Sequence, residues 1–187
     1  MVERRSDGSI MYTYEEAIKI FGKIPKPHIA IDELILLLLR LLDKPINGKV
    51  VMQKEIFLLY NEIKNKLIVV DPYFVKHRYG MFSYKIATLL DLLEHAGLIS
   101  VSNKRSLKRT KYTLTEKGKK VADKVLEKVS KLLSEKEIER LRELRKGWDQ
   151  LGHDGILGYV YQRFPEYREK SELKDKYIHI DWGVIES

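Results

Sequence analysis

Five cations fall within nine residues of this chain: Lys104, Arg105, Lys108, Arg109 and Lys111, with no acid between residues 103 and 111. Cations at this density neutralise phosphates, and each phosphate contact releases counterions. The chemistry they offer is salt-sensitive, sequence-independent affinity for nucleic acid. The excess is local. Residues 103–133 hold eleven Lys or Arg against three Asp or Glu, which matches the net +8 of the whole chain, and the other residues carry 24 of each sign. A second basic feature follows, in which Lys117, Lys120, Lys124, Lys128 and Lys131 recur at spacings of three and four, one stripe along a helix. Glu116–Lys120 and Glu127–Lys131 are also favourable i,i+4 pairs, so the stripe reads equally as a binding face and as helix support.

Other chemistries find no anchor. The chain has no cysteine, which excludes disulfides, thiolate metal sites and cysteine nucleophiles. The five histidines, His28, His77, His95, His153 and His179, never pair at i+3 or i+4, so no metal-ligand spacing forms. No phosphate-cradling glycine loop and no nucleophile elbow occurs. Gly152, Gly155 and Gly158 sit at spacing three and read as close helix packing, while Asp149 and Asp154 read as solvated turn carboxylates. No catalytic, cofactor-binding or metal-ligating residue is assigned, and the expectation is a protein without enzymatic activity or cofactor.

Composition sets the background. A hydrophobic fraction of 44% is enough for a real core. Abundant Lys, Glu, Ile and Leu point to a thermophilic source, and a polar start without an apolar leader points to the cytoplasm. The longest apolar run, from Leu34 to Leu39, is far short of the ~20 residues a membrane span needs.

Three segments are expected to position the cations. Residues 1–27 form an N-terminal helix (13–21, capped by Thr13 and Glu16) and a connector fixed by Pro25 and Pro27. Residues 28–133 form a winged-helix domain, and residues 134–187 a C-terminal helical extension packed on or near it. Within the domain, 29–43 is an apolar central helix, 49–52 a short strand and 53–64 an amphipathic helix. A long aromatic connector, 65–82, contains the β-like stretch 67–70. Ser83 caps a helix with Ile86, Leu89, Leu90 and Leu93 on its buried stripe. Strands follow at 98–101 and 111–114. Thr115 then caps a helix that turns Val121, Val125, Val129 and Leu132 inward. Beyond a second capping box at Ser134 and Glu137, one helix ends at Gly147 and another spans 154–163. A polar tail from Ser171 carries a β-like stretch at 177–180.

Helix, strand, basic hairpin, strand, helix is the order of a winged helix-turn-helix, mainly α with a small β-hairpin wing. The five cations lie on the wing. The recognition helix would expose Tyr84, Lys85, Thr88, Asp91 and Glu94. Base readout favours Arg, Asn and Gln, and none occurs between Ser83 and Ala96. Contacts to double-stranded DNA are therefore expected chiefly at phosphates, through the wing with Lys117 and Lys120 helping. Tyr84, Lys85 and Thr88 are the base-side candidates.

Five segments together resemble the YwgA-like/SocA-like (Panacea-type) winged-helix family of bacteria and archaea. They are MQKEIFLLY at 52–60, FVKHRYGMFS at 74–83, LLDLLEHAGLI at 89–99, YTLTEKG at 112–118 and GYVYQRFPEYREKSEL at 158–173. The resemblance covers about residues 30–175, with Met81 where the family usually has proline and Phe164 where tyrosine is common. It implies a winged helix with a long 65–82 connector and no catalytic residue, and some members look like antitoxins that bind a partner toxin. Two functions are expected from these readings. The first is a DNA-binding protein of transcription-regulator type. The alternative is an antitoxin-like or assembly module whose partner is a protein, held through Tyr73, Phe74, Tyr79 and Phe82 or through Tyr159, Tyr161 and Tyr167. A homodimer through the C-terminal helices would present two half-sites.

Overall fold

The central helix forms because residues 31–42 are apolar on nearly every side. In a computed structural model that describes residues 3–4, 10–11, 28–78 and 80–167, this helix is α1 (Ile31–Leu42). Glu33 reaches back to accept the Ala30 amide at 2.9 Å, and Asp43 stops the helix in a left-handed conformation (φ 51°). Two short strands precede it, β1 (Glu3–Arg4) and β2 (Ile10–Met11), paired antiparallel. The helix expected at 13–21, the connector at Pro25 and Pro27, Tyr79 and the tail with its 177–180 stretch lie outside the described residues.

The strand expected at 49–52 is displaced. β3 is Ile46–Asn47, and Lys49 already belongs to α2 (Lys49–Ile63). Asn47-Gly48 makes the turn, with Gly48 at φ 101°, so pairing ends before the helix begins. In the connector, the β-like 67–70 stretch is reduced to one parallel bridge between Val69 and Ile29. Its regular structure is instead a hairpin, β4 (Val75–His77) with β5 (Gly80–Phe82). Gly80 is required there. Its φ is +83°, and a Cβ at this position would lie 2.6 Å from Cε1 of Tyr161.

Ser83 caps α3 (Tyr84–His95) by accepting the Ile86 amide. β6 (Ile99–Ser102) and β7 (Lys111–Leu114) form an antiparallel hairpin in the register Ile99↔Leu114 to Ser102↔Lys111, and β3 joins the other edge of β7. The sheet order is β3-β7-β6. Thr115 caps α4 (Glu116–Ser130) and Ser134 caps α5 (Glu135–Arg163), which a 3-10 turn at Pro165–Tyr167 follows. The chain is thus mainly helical with a small antiparallel sheet. Among the described residues, no helix is long and apolar enough to cross a membrane.

Two expectations on the late helices are corrected. Leu132 lies past the end of α4 and is exposed, and Leu133 takes the buried place. The helix does not end at Gly147. It runs on to Gly152, where φ 63° and ψ −167° break it, a conformation essentially confined to glycine. Arg145 and Asp149 face each other one turn apart across Gly147, 3.5 Å between Nη1 and Oδ1, and Trp148 is buried, so packing carries the helix through that glycine. The first half of α5 and its continuation place Trp148, Ile156, Leu157, Val160 and Tyr161 in the same core as α1 and α2.

α2 carries three consecutive polar residues that are all buried, Gln53, Lys54 and Glu55. Gln53 grips the backbone before α3, accepting the Ser83 amide at 3.0 Å and donating to the Ser83 carbonyl at 3.1 Å. Lys54 donates to the Met81 carbonyl of β5 at 2.8 Å. Glu55 meets Arg145 of α5, with 2.8 Å between Oε2 and Nε. Polar groups in a core are tolerated when paired, and these pairings fix where three later elements dock on α2.

Burial lowers the Lys54 ammonium from an ordinary 10.5 to about 7. Between those values the unfolded chain holds a proton that the folded chain has released, so this group makes stability rise with pH across that window. Lys54→Met should flatten the rise. Thermal unfolding of both proteins at pH 6 and at pH 10 measures it, and an unchanged difference in Tm would show that Lys54 stays charged in the fold.

Candidate nucleic-acid interface

The basic loop between β6 and β7 is braced from within. The Ser106 amide donates to the Asn103 carbonyl at 3.0 Å, the Thr110 amide to the Ser106 carbonyl at 3.1 Å, and Ser106 Oγ accepts the Arg109 amide at 3.1 Å. Thr110 is fully buried, and its hydroxyl donates back to the Asn103 and Ser106 carbonyls. Asn103 takes φ 55°, a left-handed value that asparagine tolerates better than most residues. The loop is tied outward as well. The first amides of α2 have no side-chain cap, and the loop supplies one: Gly48 N donates to Thr110 O at 2.6 Å and Lys49 N to Leu107 O at 2.8 Å. A basic loop held at both faces presents its charges from a fixed frame.

The five cations of the hairpin, Lys104, Arg105, Lys108, Arg109 and Lys111, are exposed, and they divide into two groups. Lys104 pairs with Glu94 of α3 at 2.6 Å, and Lys108 lies 4.0 Å from Asp154 of α5. Arg105, Arg109 and Lys111 make no ion pair among the described residues. Those three are the strongest phosphate candidates. Asp149 and Asp154, read from sequence as loop carboxylates, lie in α5, where Asp149 faces Arg145 and Lys44, and Asp154 meets His153 and Lys108.

On α3, Tyr84, Lys85 and Thr88 are all exposed. Lys85 is committed to a cation–π contact, with its Nζ 3.8 Å from the centroid of Tyr73. Tyr84 stands edge-on to Phe82 at 5.1 Å. Between α3 and the hairpin lies a cavity of about 290 Å³ whose walls include Phe82, Leu90, Asp91, Glu94 and Tyr112. The Tyr112 hydroxyl is pushed up to about 12 by burial, then by Asp91 and Glu94. The groove face of α3 is therefore acidic toward its C-terminal end.

Lys117 and Lys120 stand apart from the hairpin tip. α4 starts just after Leu114, which pairs with Ile99 at the base of the hairpin. Four strand residues at ~3.3 Å each put the tip ~13 Å away. Lys117 donates to the Ala96 carbonyl at 2.8 Å and closes the end of α3. Lys120 is exposed without an ion pair among the described residues. The lysine stripe also divides. Lys128 bridges to both oxygens of Glu33 on α1 at 2.8 Å, and Lys131 pairs with Glu127 at 2.7 Å. Three of the five stripe lysines, Lys117, Lys128 and Lys131, thus serve helix packing or helix support.

The aromatic residues weighed for a protein partner are scattered. Tyr159 and Tyr161 are buried in the core, Phe82 is half-buried, and Tyr73, Phe74 and Tyr167 meet at one cavity beside α2. Sequence reasoning missed the buried Gln53-Lys54-Glu55 run. The available signal was a polar triplet inside a helix whose other sides are apolar. Among the described residues no group of His, Asp or Glu is arranged to hold a metal ion.

No family model, curated protein or solved structure matches this chain.

Proposed function

We propose that this chain is a non-enzymatic DNA-binding protein of winged-helix type that holds duplex phosphates through its hairpin. One observation carries the reading: Arg105, Arg109 and Lys111 stand exposed and without an ion pair among the described residues, the two arginines on a loop braced by its own hydrogen bonds and by α2, and the lysine at the start of β7. The topology supports it. A strand between the first two helices of the domain pairs with the second strand of the hairpin, in the order β3-β7-β6, and α3 precedes the hairpin as a recognition helix does. Asp91 and Glu94 disfavour deep base readout by α3, so affinity comes mainly from the backbone and discrimination between sequences is weak. The resemblance to the YwgA-like/SocA-like group points to the same architecture.

Fluorescence anisotropy of a labelled duplex of arbitrary sequence, titrated at about 50 and about 200 mM salt, tests the reading. The intact protein should bind with an affinity that falls steeply with salt. Replacing Arg105, Arg109 and Lys111 together by alanine should reduce the slope of log affinity against log salt by about three, one per lost phosphate contact. A duplex affinity that survives the triple change with its slope intact would remove the hairpin from the interface. Absence of binding by the intact protein at low salt would turn attention to a protein partner.

A further inference from the structure

Six aromatic rings, Phe57, Tyr60, Tyr73, Phe74, Phe164 and Tyr167, surround a cavity of about 440 Å³ between α2, the chain entering β4 and the turn after α5. That volume lies in the range of small-ligand sites. Phe57 is buried, and Phe74, Phe164 and Tyr167 pack around it nearly perpendicular, with centroids at 4.9, 4.7 and 5.2 Å. Among the described residues, the charged side chains of the wall are Asp71, Glu166 and Lys64, a net charge of one negative. Burial raises the Tyr60 and Tyr167 hydroxyls. Asp71 adds to both shifts and Glu166 to that of Tyr167, where Lys76 opposes them, so two carboxylates, one lysine and the phenols share one neighbourhood.

Tyr73 marks the mouth. Its ring is 60% exposed and its backbone sits at φ 54°, a costly conformation for an aromatic residue, held by Asp71 Oδ1 accepting its amide at 2.8 Å. The rings already take cations from the protein itself: Lys64 Nζ lies 5.5 Å from the Tyr60 centroid and Lys85 Nζ 3.8 Å from that of Tyr73. Ammonium groups favour aromatic faces at these distances.

Three occupant chemistries compete. An anion would enter a wall of net negative charge. A neutral apolar molecule would cover Asp71 and Glu166 and return nothing for their lost water. An organic cation gains from both rings and carboxylates. We propose that this cavity binds a small organic ammonium ion, of the alkylammonium or quaternary ammonium class. The proposal stands apart from the DNA-binding reading and shares no residue with the hairpin.

Calorimetric titration of the intact chain with choline, and separately with the uncharged carbon isostere of choline, tests it. Choline should bind saturably and the isostere at least tenfold more weakly. Tyr73→Ala should weaken choline about tenfold and Glu166→Gln severalfold, with Tm close to that of the parent because both side chains are exposed. Equal binding of the isostere would reduce the cavity to an apolar pocket. Undiminished choline binding by Tyr73→Ala, or no choline binding by the parent, would overturn the site.

Discussion

Arg145→Met is expected to destabilise the protein by about 3–5 kcal/mol, because it leaves Glu55 buried opposite an apolar side chain. Both groups are essentially inaccessible. Their Nε–Oε2 separation is 2.8 Å, yet neither atom has a well-directed hydrogen bond, and Arg145 Nη1 and Nη2 likewise lack one. The attraction is that of close charges, with the desolvation of both only partly offset. Burial accordingly pushes the Glu55 carboxyl above the usual carboxylate range, against the opposing pull of Arg145. A carboxyl raised on folding holds a proton that the unfolded chain has lost, so its contribution to stability falls as pH rises above the ordinary carboxylate value of 4.5. The Arg145→Met variant should therefore be least damaged in mild acid. Replacing the pair together, Glu55→Leu with Arg145→Met, should recover most of the loss, since a buried ion pair often stabilises no more than apolar residues of similar volume. Chemical denaturation of the parent, both single variants and the double variant gives the coupling energy. A double variant as unstable as the sum of the singles would mean that the two charges act independently.

Gly118→Ala is the second large effect, and its cause is steric. A Cβ at Gly118 would fall 1.8 Å from the Leu98 carbonyl oxygen and 2.8 Å from the Leu98 carbonyl carbon. Both are backbone atoms, so no rotamer change relieves the clash. The contact is locked from the other side too, since Thr115 Oγ1 donates to the Gly97 carbonyl at 2.6 Å and accepts the Gly118 amide at 3.0 Å. Relief would require α4 to move off the hairpin. That movement would cost the Thr115 cap and the packing of Ala122 and Val125, both buried. A loss of about 3 kcal/mol is expected, near the upper end for overpacking, and Tm should fall by about 6–12 °C in a chain of this length. Differential scanning calorimetry decides it. A variant melting within a degree or so of the parent would show that α4 is free to shift on the hairpin.

What the sequence made legible is what short-range chemistry decides. Ser83, Thr115 and Ser134 each cap the amide three residues on, and each cap is formed. The strand at 111–114 was readable for a similar reason, since a β-favouring run lies between a basic loop and a cap. The Thr115-to-Gly118 spacing was visible as a pattern, while the reason for the glycine lies 20 residues back at Leu98. Hidden features depend on distant partners. Gln53 meets Ser83 across 30 residues, and the burial of Glu55 becomes intelligible only once α5 brings Arg145 to it. The helix end at Gly147 was misplaced because glycine weakens a helix without stopping it, and the Arg145–Asp149 contact with buried Trp148 outweighs that cost. At the candidate interface, composition located the cations, and the fold sorted them. Lys104 and Lys117 turn out to be tied to α3, by Glu94 and the Ala96 carbonyl.

The three neighbouring polar residues of α2 also limit how this chain can vary in length. Successive side chains on a helix point about 100° apart, so Gln53, Lys54 and Glu55 address three different directions. Each direction is already occupied by a specific acceptor, amide or cation on another element. Inserting or deleting one residue between Gly48 and Gln53 would rotate all three at once, aiming the lysine near the place meant for the glutamate or the glutamine. No repacking of neighbours would restore three unlike matches together. Related chains that keep this arrangement should therefore differ in length at the loops and termini, with the spacing from the Gly48 turn to the triplet held constant.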